Sequence, residues 1–399
     1  MIDIILETIS IKSISNITYG YTEKSKTDNQ KYKYLRITDI QDSNVQWNDV
    51  PFCDISDENF PKYKLSKGDI VFARTGATTG KSYLINDCPD SVYASYLIRV
   101  KLKNGGFEPK YVHYFFQTPS YWASINSGIS GSTLGGFNAK KLGELRIPQF
   151  TLSEQQQIVE KLDTAFELIN RAKANIEKNI QNAKELFQSK LNQVFSEKGE
   201  GWEEKRIKDL GKVQTGTTPP TKDLDNYGDY IPFVKPAHFN KNGQIISTDS
   251  FLSEKGVAKS RLINANSILM VCIGATIGKT GFTEIDVTCN QQINALTPNK
   301  DYDHKFLYFG MISRVFQDNV LSQGKGAQAT LPIINKSKWE SLSLNINKDL
   351  NVQREIVSML EELSAQTELL QQKYQQKLIN LEELKKSILE KAFKGELVY

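Results

Sequence analysis

Apolar and polar positions along the chain fall into two kinds of segment, and each kind occurs twice. One apolar stripe runs through positions 158, 162, 165, 169, 172, 176, 180, 183, 187, 191 and 194. A second runs through 356, 360, 363, 367, 370, 374, 378, 381, 384, 388 and 392. Steps of three and four alternate, which is the seam of a coiled coil on a long helix. Both stretches lack internal Pro and Gly and are rich in Glu, Gln, Lys and Leu. Both also break the alternation at matching places, 172→176→180 and 370→374→378, a four-residue stutter that locally unwinds a supercoil. Helices that share a defect are expected to share a partner. About 40 helical residues at about 1.5 Å each reach about 60 Å, more than the width of a 150-residue globule. The expected arrangement is therefore an antiparallel pair within one chain, with a globule at each end. Ser153, followed by Gln156, has the spacing of an N-terminal capping box, and Gly199 and Gly201 mark the end of the first helix.

Between the stripes, short β-branched and aromatic runs such as YKYLRITDI, DIVFAR and YIPFVKP are punctuated by Gly, Asn, Asp and Pro. They predict a sheet-rich globule. Segments 109–125 and 304–320 have apolar spacing nearer 3.6 and predict helices packed on the sheet. An offset of about 198 residues superposes the two halves. LSEQQQIVEKL (152–162) falls on LNVQREIVSML (350–360), and DIVFARTGATTGKS (69–82) on SILMVCIGATIGKT (267–280). Weaker matches pair Tyr19-Gly20 with Thr215-Gly216, Ser95 with Gln291, Thr133 with Thr330 and Asn138 with Asn335. The reading is an α+β protein of two mixed α/β globules, residues 1–150 and 199–348. Long helices at 151–198 and 349–399 follow them, giving an internal pseudo-twofold repeat.

Composition changes this picture little. A chain of 399 residues with 39% hydrophobic and 24% charged residues is ordinary for a multidomain globular protein. No apolar run approaches a bilayer span, and the N-terminus carries acids where a signal peptide carries bases, so a cytoplasmic location is expected. Charge adds more by its distribution than by its total of +4. The globules hold 18 basic against 15 acidic residues (1–150) and 18 against 14 (201–348), whereas both helical segments are slightly acidic. Four cysteines and three histidines lie scattered, so neither a disulfide framework nor a metal site is expected.

Two motifs invite a catalytic reading that their spacing denies. Gly76-Ala-Thr-Thr-Gly80-Lys81 and Gly274-Ala-Thr-Ile-Gly278-Lys279 resemble phosphate-binding loops but have one residue too few between the glycines. Strand-like YLI and GFTEI follow where a helix N-terminus would have to face the phosphate. A hairpin within a sheet is expected instead. No Asn/Asp-Pro-Pro-aromatic loop, as an amino-methyltransferase would carry, and no paired-carboxylate nuclease signature occurs, so no catalytic residue is expected on this chain.

These features resemble the specificity subunits of type I restriction-modification enzymes. The resemblance spans the chain and rests on Ile147, Pro148, Glu154 and Gln155, with Gln353 repeating the last. It also rests on Trp202, Leu210-Gly211 and Gly216-Thr217-Thr218-Pro219 opening the second globule. The second copy departs from the pattern with Asn347 and Val352, and the first with Ile14 and no Pro after Gly20. The resemblance implies two target recognition domains, each reading half of a split duplex DNA site, with the helices setting the spacing. It further implies two modification subunits, restriction subunits, and S-adenosylmethionine, ATP and Mg bound on those partners.

Phosphates give affinity and base edges give sequence. Arg pairs bidentately with guanine, and Asn or Gln with adenine. The candidates are Arg74, Thr75, Thr78, Lys81, Ser95 and Tyr96 with Ser130, Ser132 and Thr133 in the first globule. In the second they are Thr276, Lys279, Asn290, Gln291, Gln292, Lys325, Gln328 and Thr330. Arg99 and Gln323 carry the same chemistry. The glycine frame repeats while its neighbours differ, Arg74-Thr75 against Cys272-Ile273 and Ala94-Ser95-Tyr96 against Asn290-Gln291-Gln292, so unequal half-sites are expected. On the residues alone, a coiled-coil adaptor that binds protein partners instead of DNA is the alternative.

Overall fold

The computed structural model describes residues 6–27, 31–41, 44–103, 105–129, 136–196, 199–239, 243, 245, 248–324 and 333–397. The chain divides into two units, Met1–Ile176 with Gln376–Tyr399, and Glu177–Gln375.

Besides the short antiparallel pair Ile40–Gln41 and Asn44–Val45, the strands of the first unit are β1 (Thr8–Ser10), β2 (Ser15–Tyr19), β3 (Tyr32–Leu35), β4 (Phe52–Cys53), β5 (Ile70–Ala73), β6 (Ser82–Leu84), β7 (Ser91–Tyr93), β8 (Leu97–Leu102) and β9 (Arg146–Pro148). The main sheet has the order β2-β8-β5-β6 and is antiparallel throughout. Its strand β5 is Ile-Val-Phe-Ala, buried at all four positions, because side chains on both faces meet a core; hence a continuous apolar run and no alternation. A smaller sheet, β4-β3-β7, contains the parallel pair β3–β7, and β1 pairs with β9.

The expected helix over 109–125 is two helices, α1 (Pro109–Phe115) and α2 (Pro119–Ile129). Pro119 cannot continue a helix but suits a first turn, and the Thr118 hydroxyl accepts from the Tyr121 N–H at 3.1 Å. After α3 (Ala139–Glu144) and β9 comes the first long helix, Leu152–Ser196. Its capping box is Thr151 with Glu154. The Thr151 N–H donates to the Glu154 carboxylate at 2.7 Å, and the Glu154 N–H to the Thr151 hydroxyl at 3.3 Å. The expected box of Ser153 and Gln156 is not formed. The helix begins at Leu152, so both residues already lie inside it, exposed.

The first unit's core also takes Ile158, Leu162, Phe166 and Ile169 from the first long helix. From the second long helix (Leu350–Phe393) it takes Leu389, Ala392 and Phe393. Each fully buried aliphatic or aromatic side chain contributes about 1.5–3 kcal/mol, so this end of the chain is part of the unit's core. Tyr111 of α1 stacks on Phe393 with ring centroids 4.8 Å apart. Lys161 reaches the Leu397 carbonyl, Lys385 lies over the Phe166 ring and Lys173 pairs with Glu382. Numbers rise on one helix as they fall on the other, so the pairing is antiparallel.

The second unit repeats this plan. Its strands are β10 (Trp202–Arg206), β11 (Gly211–Thr215), β12 (Tyr227–Val234), β13 (Phe251–Leu252), β14 (Leu262–Ile263), β15 (Ser267–Val271), β16 (Thr280–Thr283), β17 (Val287–Cys289), β18 (Ile293–Pro298) and β19 (Ser343–Asn347). The main sheet is β11-β18-β15-β16, and the second, β13-β12-β17-β14, again has a parallel pair, β12–β17. The patch 304–320 divides at Ser313 into α4 (His304–Ile312) and α5 (Arg314–Gly324); α6 spans Lys336–Ser341. Phe306 of α4 packs on Phe195 at 5.1 Å, as Tyr111 does on Phe393. Lys305 pairs with Glu361 at 2.8 Å, as Lys110 does with Asp163 at 2.7 Å. The repeated Asn138 and Asn335 are N-caps of α3 and α6, each accepting a backbone N–H at 2.9 Å.

All positions of the first stripe are buried or half-buried. In the second, Leu370 is 39% and Leu384 47% exposed. Leu370 opens the stutter, where each four-residue step turns the stripe about 40° around the helix. Among the described residues no helix is long and apolar enough to cross a membrane, and no group of three or more His, Cys, Asp or Glu could hold a metal ion.

Candidate nucleic-acid interface

The repeated glycine motifs are hairpins. The first joins β5 to β6 through a turn at Gly76–Thr78, and the second joins β15 to β16. Lys81 and Lys279 lead into strands, so no helix begins after the loop as a phosphate loop requires. The two glycines of each motif do different things. Gly76 and Gly274 have φ of +78° and +103°, and a Cβ there would meet nothing within 4 Å. Gly80 and Gly278, also at positive φ, lie against α2 and α5. A Cβ on Gly80 would come within 2.8 Å of Trp122, and one on Gly278 within 2.4 Å of Gln317. The Tyr121 hydroxyl donates to the Gly80 carbonyl at 2.6 Å and the Gln317 amide to the Gly278 carbonyl at 2.9 Å. One glycine anchors the hairpin to the globule while the other leaves its tip open.

The base of each hairpin is tied by the same backbone bonds. The Arg74 N–H donates to the Tyr96 carbonyl at 3.1 Å, and the Cys272 N–H to the Gln292 carbonyl at 2.7 Å. Phe137 donates to the Arg74 carbonyl and Ile334 to the Cys272 carbonyl, both at 2.9 Å. The loop before β8, or before β18, is thereby held beside the hairpin, and a mouth with the same frame opens on each unit.

In the first unit the mouth gathers Arg74, Thr75, Ser95 and Tyr96, with Thr78 and Lys81 farther along the hairpin. Tyr96 is 63% and Tyr19 43% exposed. The Arg74 guanidinium lies 5.0 Å over the Tyr19 ring and reaches the Ser95 carbonyl at 3.5 Å. The Tyr19 hydroxyl accepts from the Ala139 N–H at 3.1 Å, which fixes the ring under the cation. Lys81 is exposed.

In the second unit the position of Arg74 is Cys272, buried, with its thiol receiving a bond from the Asn294 amide at 3.1 Å. Burial pushes the Cys272 and Cys289 thiols up to about 12, so both stay protonated. The Asn290 amide donates to Gln292 at 2.9 Å, and its oxygen accepts the Gln292 N–H at 3.2 Å. Asn290 therefore shapes the loop. Gln291 is exposed and accepts from the Thr218 hydroxyl. Thr276 is exposed at the hairpin tip, whereas the Lys279 ammonium turns back to the Phe239 carbonyl.

Arg99 lies outside the mouth. It is 7% exposed in β8, donates to the Lys62 and Lys64 carbonyls, and has Asp69 at 3.9 Å and the Tyr93 ring below it. Burial raises the Asp69 carboxyl even with Arg99 nearby. This arginine holds the fold together, a role that strand register decides and composition does not reveal. Gln323 is exposed on α5, where its carbonyl accepts from the Lys338 ammonium at 3.1 Å. Ser130, Ser132, Thr133, Lys325, Gln328 and Thr330 lie outside the described residues. Sequence reasoning missed Tyr19 and Thr218 as members of the mouths. The available signal was the place of Tyr19 beside Gly20 and of Thr218 within the Gly216-Thr217-Thr218-Pro219 run.

A family model described as type I restriction modification DNA specificity domain matches residues 6–182 and again 199–378. The HindI specificity subunit of Haemophilus influenzae is 31% identical over 165 residues, covering 40% of this chain and 36% of that protein. The putative MjaX specificity subunit of Methanocaldococcus jannaschii is 24% identical over 405 residues, covering 96% and 91%. A chain solved in a study of complex assembly and conformational transition of the type I R-M system superposes with a TM-score of 0.78 at 19% identity. That match covers 98% of this chain and 97% of the other.

Proposed function

Because the chain belongs to the type I restriction modification DNA specificity family, with two copies of its domain, we propose that it is the sequence-reading subunit of a type I restriction-modification complex. Each unit reads one half of a bipartite duplex DNA site, and the halves differ in sequence. The observation that carries this reading is the pair of mouths on one frame: identical backbone ties hold Arg74, Ser95 and Tyr96 in one and Cys272, Gln291 and Gln292 in the other. A repeated frame with unlike side chains suits two readers of unlike words.

The chemistry belongs to partners in this reading. Two modification subunits, using S-adenosylmethionine, dock on the long helices, and restriction subunits using ATP and Mg join for cleavage, all in the cytoplasm. The helices also set the spacing of the half-sites. In this reading the docked subunits cover apolar side chains off the seam, among them Leu168, Leu186, Leu369 and Ile379, which are 60%, 55%, 52% and 47% exposed.

Selection from random duplex DNA by the full chain with its modification subunits tests the proposal. A two-part motif with unequal halves is expected. Recovery of a symmetric motif contradicts the unequal readers, and indifference to sequence favours an adaptor that binds only proteins.

A further inference from the structure

We propose that Arg74 reads a guanine in the half-site bound by the first unit, an inference that rests on the DNA-reading function proposed above. Arg74 follows β5 at the base of a hairpin whose tip is open at Gly76. Arg74 is half-exposed, and two contacts orient its guanidinium, the Tyr19 ring at 5.0 Å and the Ser95 carbonyl at 3.5 Å. Tyr19 is itself pinned through its hydroxyl by the Ala139 N–H. A guanidinium has five N–H donors in a rigid fork. The contact with Ser95 uses one nitrogen, Nη1, and leaves donors on the other side of the fork for two acceptors in line.

Guanine offers that pair of acceptors, O6 and N7, on its major-groove edge; adenine, cytosine and thymine do not. A phosphate also accepts two bonds from the fork, but it is the same at every step of the duplex and carries no sequence, so a preference for one base is what separates the two acceptors. The other arginine of this sheet, Arg99, is consumed by interior carbonyls. At the equivalent point of the second unit stands buried Cys272, which has no such donors. Guanine reading at this position therefore belongs to one half-site only.

Arg74→Lys keeps the charge and removes the fork; Arg74→Ala removes both. The test is selection from random duplex DNA by the full chain with its modification subunits, for the wild type and each variant. The wild type is expected to select guanine at one position of one half-site. Both variants should lose that preference by about 10- to 100-fold while the other half-site is kept, which also shows that the variant chain is intact. An Arg74→Lys chain that keeps the guanine, an even loss across all positions, or a wild-type site with no guanine in the corresponding half overturns the inference and leaves DNA reading standing. A wild type that selects no sequence overturns both.

Discussion

Gln155 and Gln353 occupy one place in the two repeats, each fully buried and each bonded to the backbone before its long helix. The Gln155 carbonyl accepts the Glu108 N–H at 2.8 Å and its amide donates to the Phe150 and Gly106 carbonyls; Gln353 does the same with Asp303, Asn347 and Asp301. Leaving a buried group unpaired costs about 1–3 kcal/mol. Gln155→Ala removes all three bonds and leaves the buried Phe150 carbonyl without its partner, and it is expected to destabilise the chain by about 2–4 kcal/mol, read as a lower urea midpoint. Exposed Gln156→Ala should move it by less than about 0.5 kcal/mol. Equal midpoints for the two variants would remove the structural role. His113 makes a second case. Burial pushes its imidazole from 6.5 down to about 4. Between those values the unfolded chain binds a proton that the folded chain does not, so stability falls as pH falls through the window. His113→Gln should flatten that slope in unfolding measured from pH 7 to pH 4.5. His304, also lowered by burial, supplies a remainder, and an unaltered slope would refute the assignment.

At the scale of elements, the glycine hairpins show which parts of the repeat are legible. Their spacing and the strand-like residues after them excluded a phosphate loop, and the structure places a hairpin in both units. The sequence does not distinguish the two glycines of each motif, because the difference lies in what packs above them. Gly80→Ala puts a methyl group against Trp122 at positive φ, and overpacking of that kind together with the strained backbone costs about 2–4 kcal/mol. Gly76→Ala meets only the backbone penalty, about 1–2 kcal/mol. Thermal unfolding should rank Gly80→Ala well below Gly76→Ala; the reverse order would mean that the anchor and the tip have been exchanged. The long helices were equally legible from their stripes, down to a shared stutter. Their capping box was not, because Thr151-Glu154 and Ser153-Gln156 have the same spacing and only the helix start separates them.

At the scale of the whole molecule, each unit is assembled from distant stretches of chain. The first buries Leu389, Ala392 and Phe393 beside Tyr111 and Leu162, and the second buries Leu191, Val194 and Phe195 beside Phe306 and Leu360. Neither core is complete without both long helices. What the sequence determined by itself is whatever a local rule can encode: the duplication, the helical seams, the hairpin glycines and, through resemblance, the family. Periodicity and turn chemistry act over a few residues, so they can be read from a few residues. Only the tertiary structure decided which arginine faces out and which is held inside. Arg74 and Arg99 both lie at or within strands of one sheet, and strand register and the carbonyls of Lys62 and Lys64 set them apart. It alone placed Tyr19 under Arg74, because residues 55 positions apart meet through the strand between them, β8, and no local pattern records that meeting.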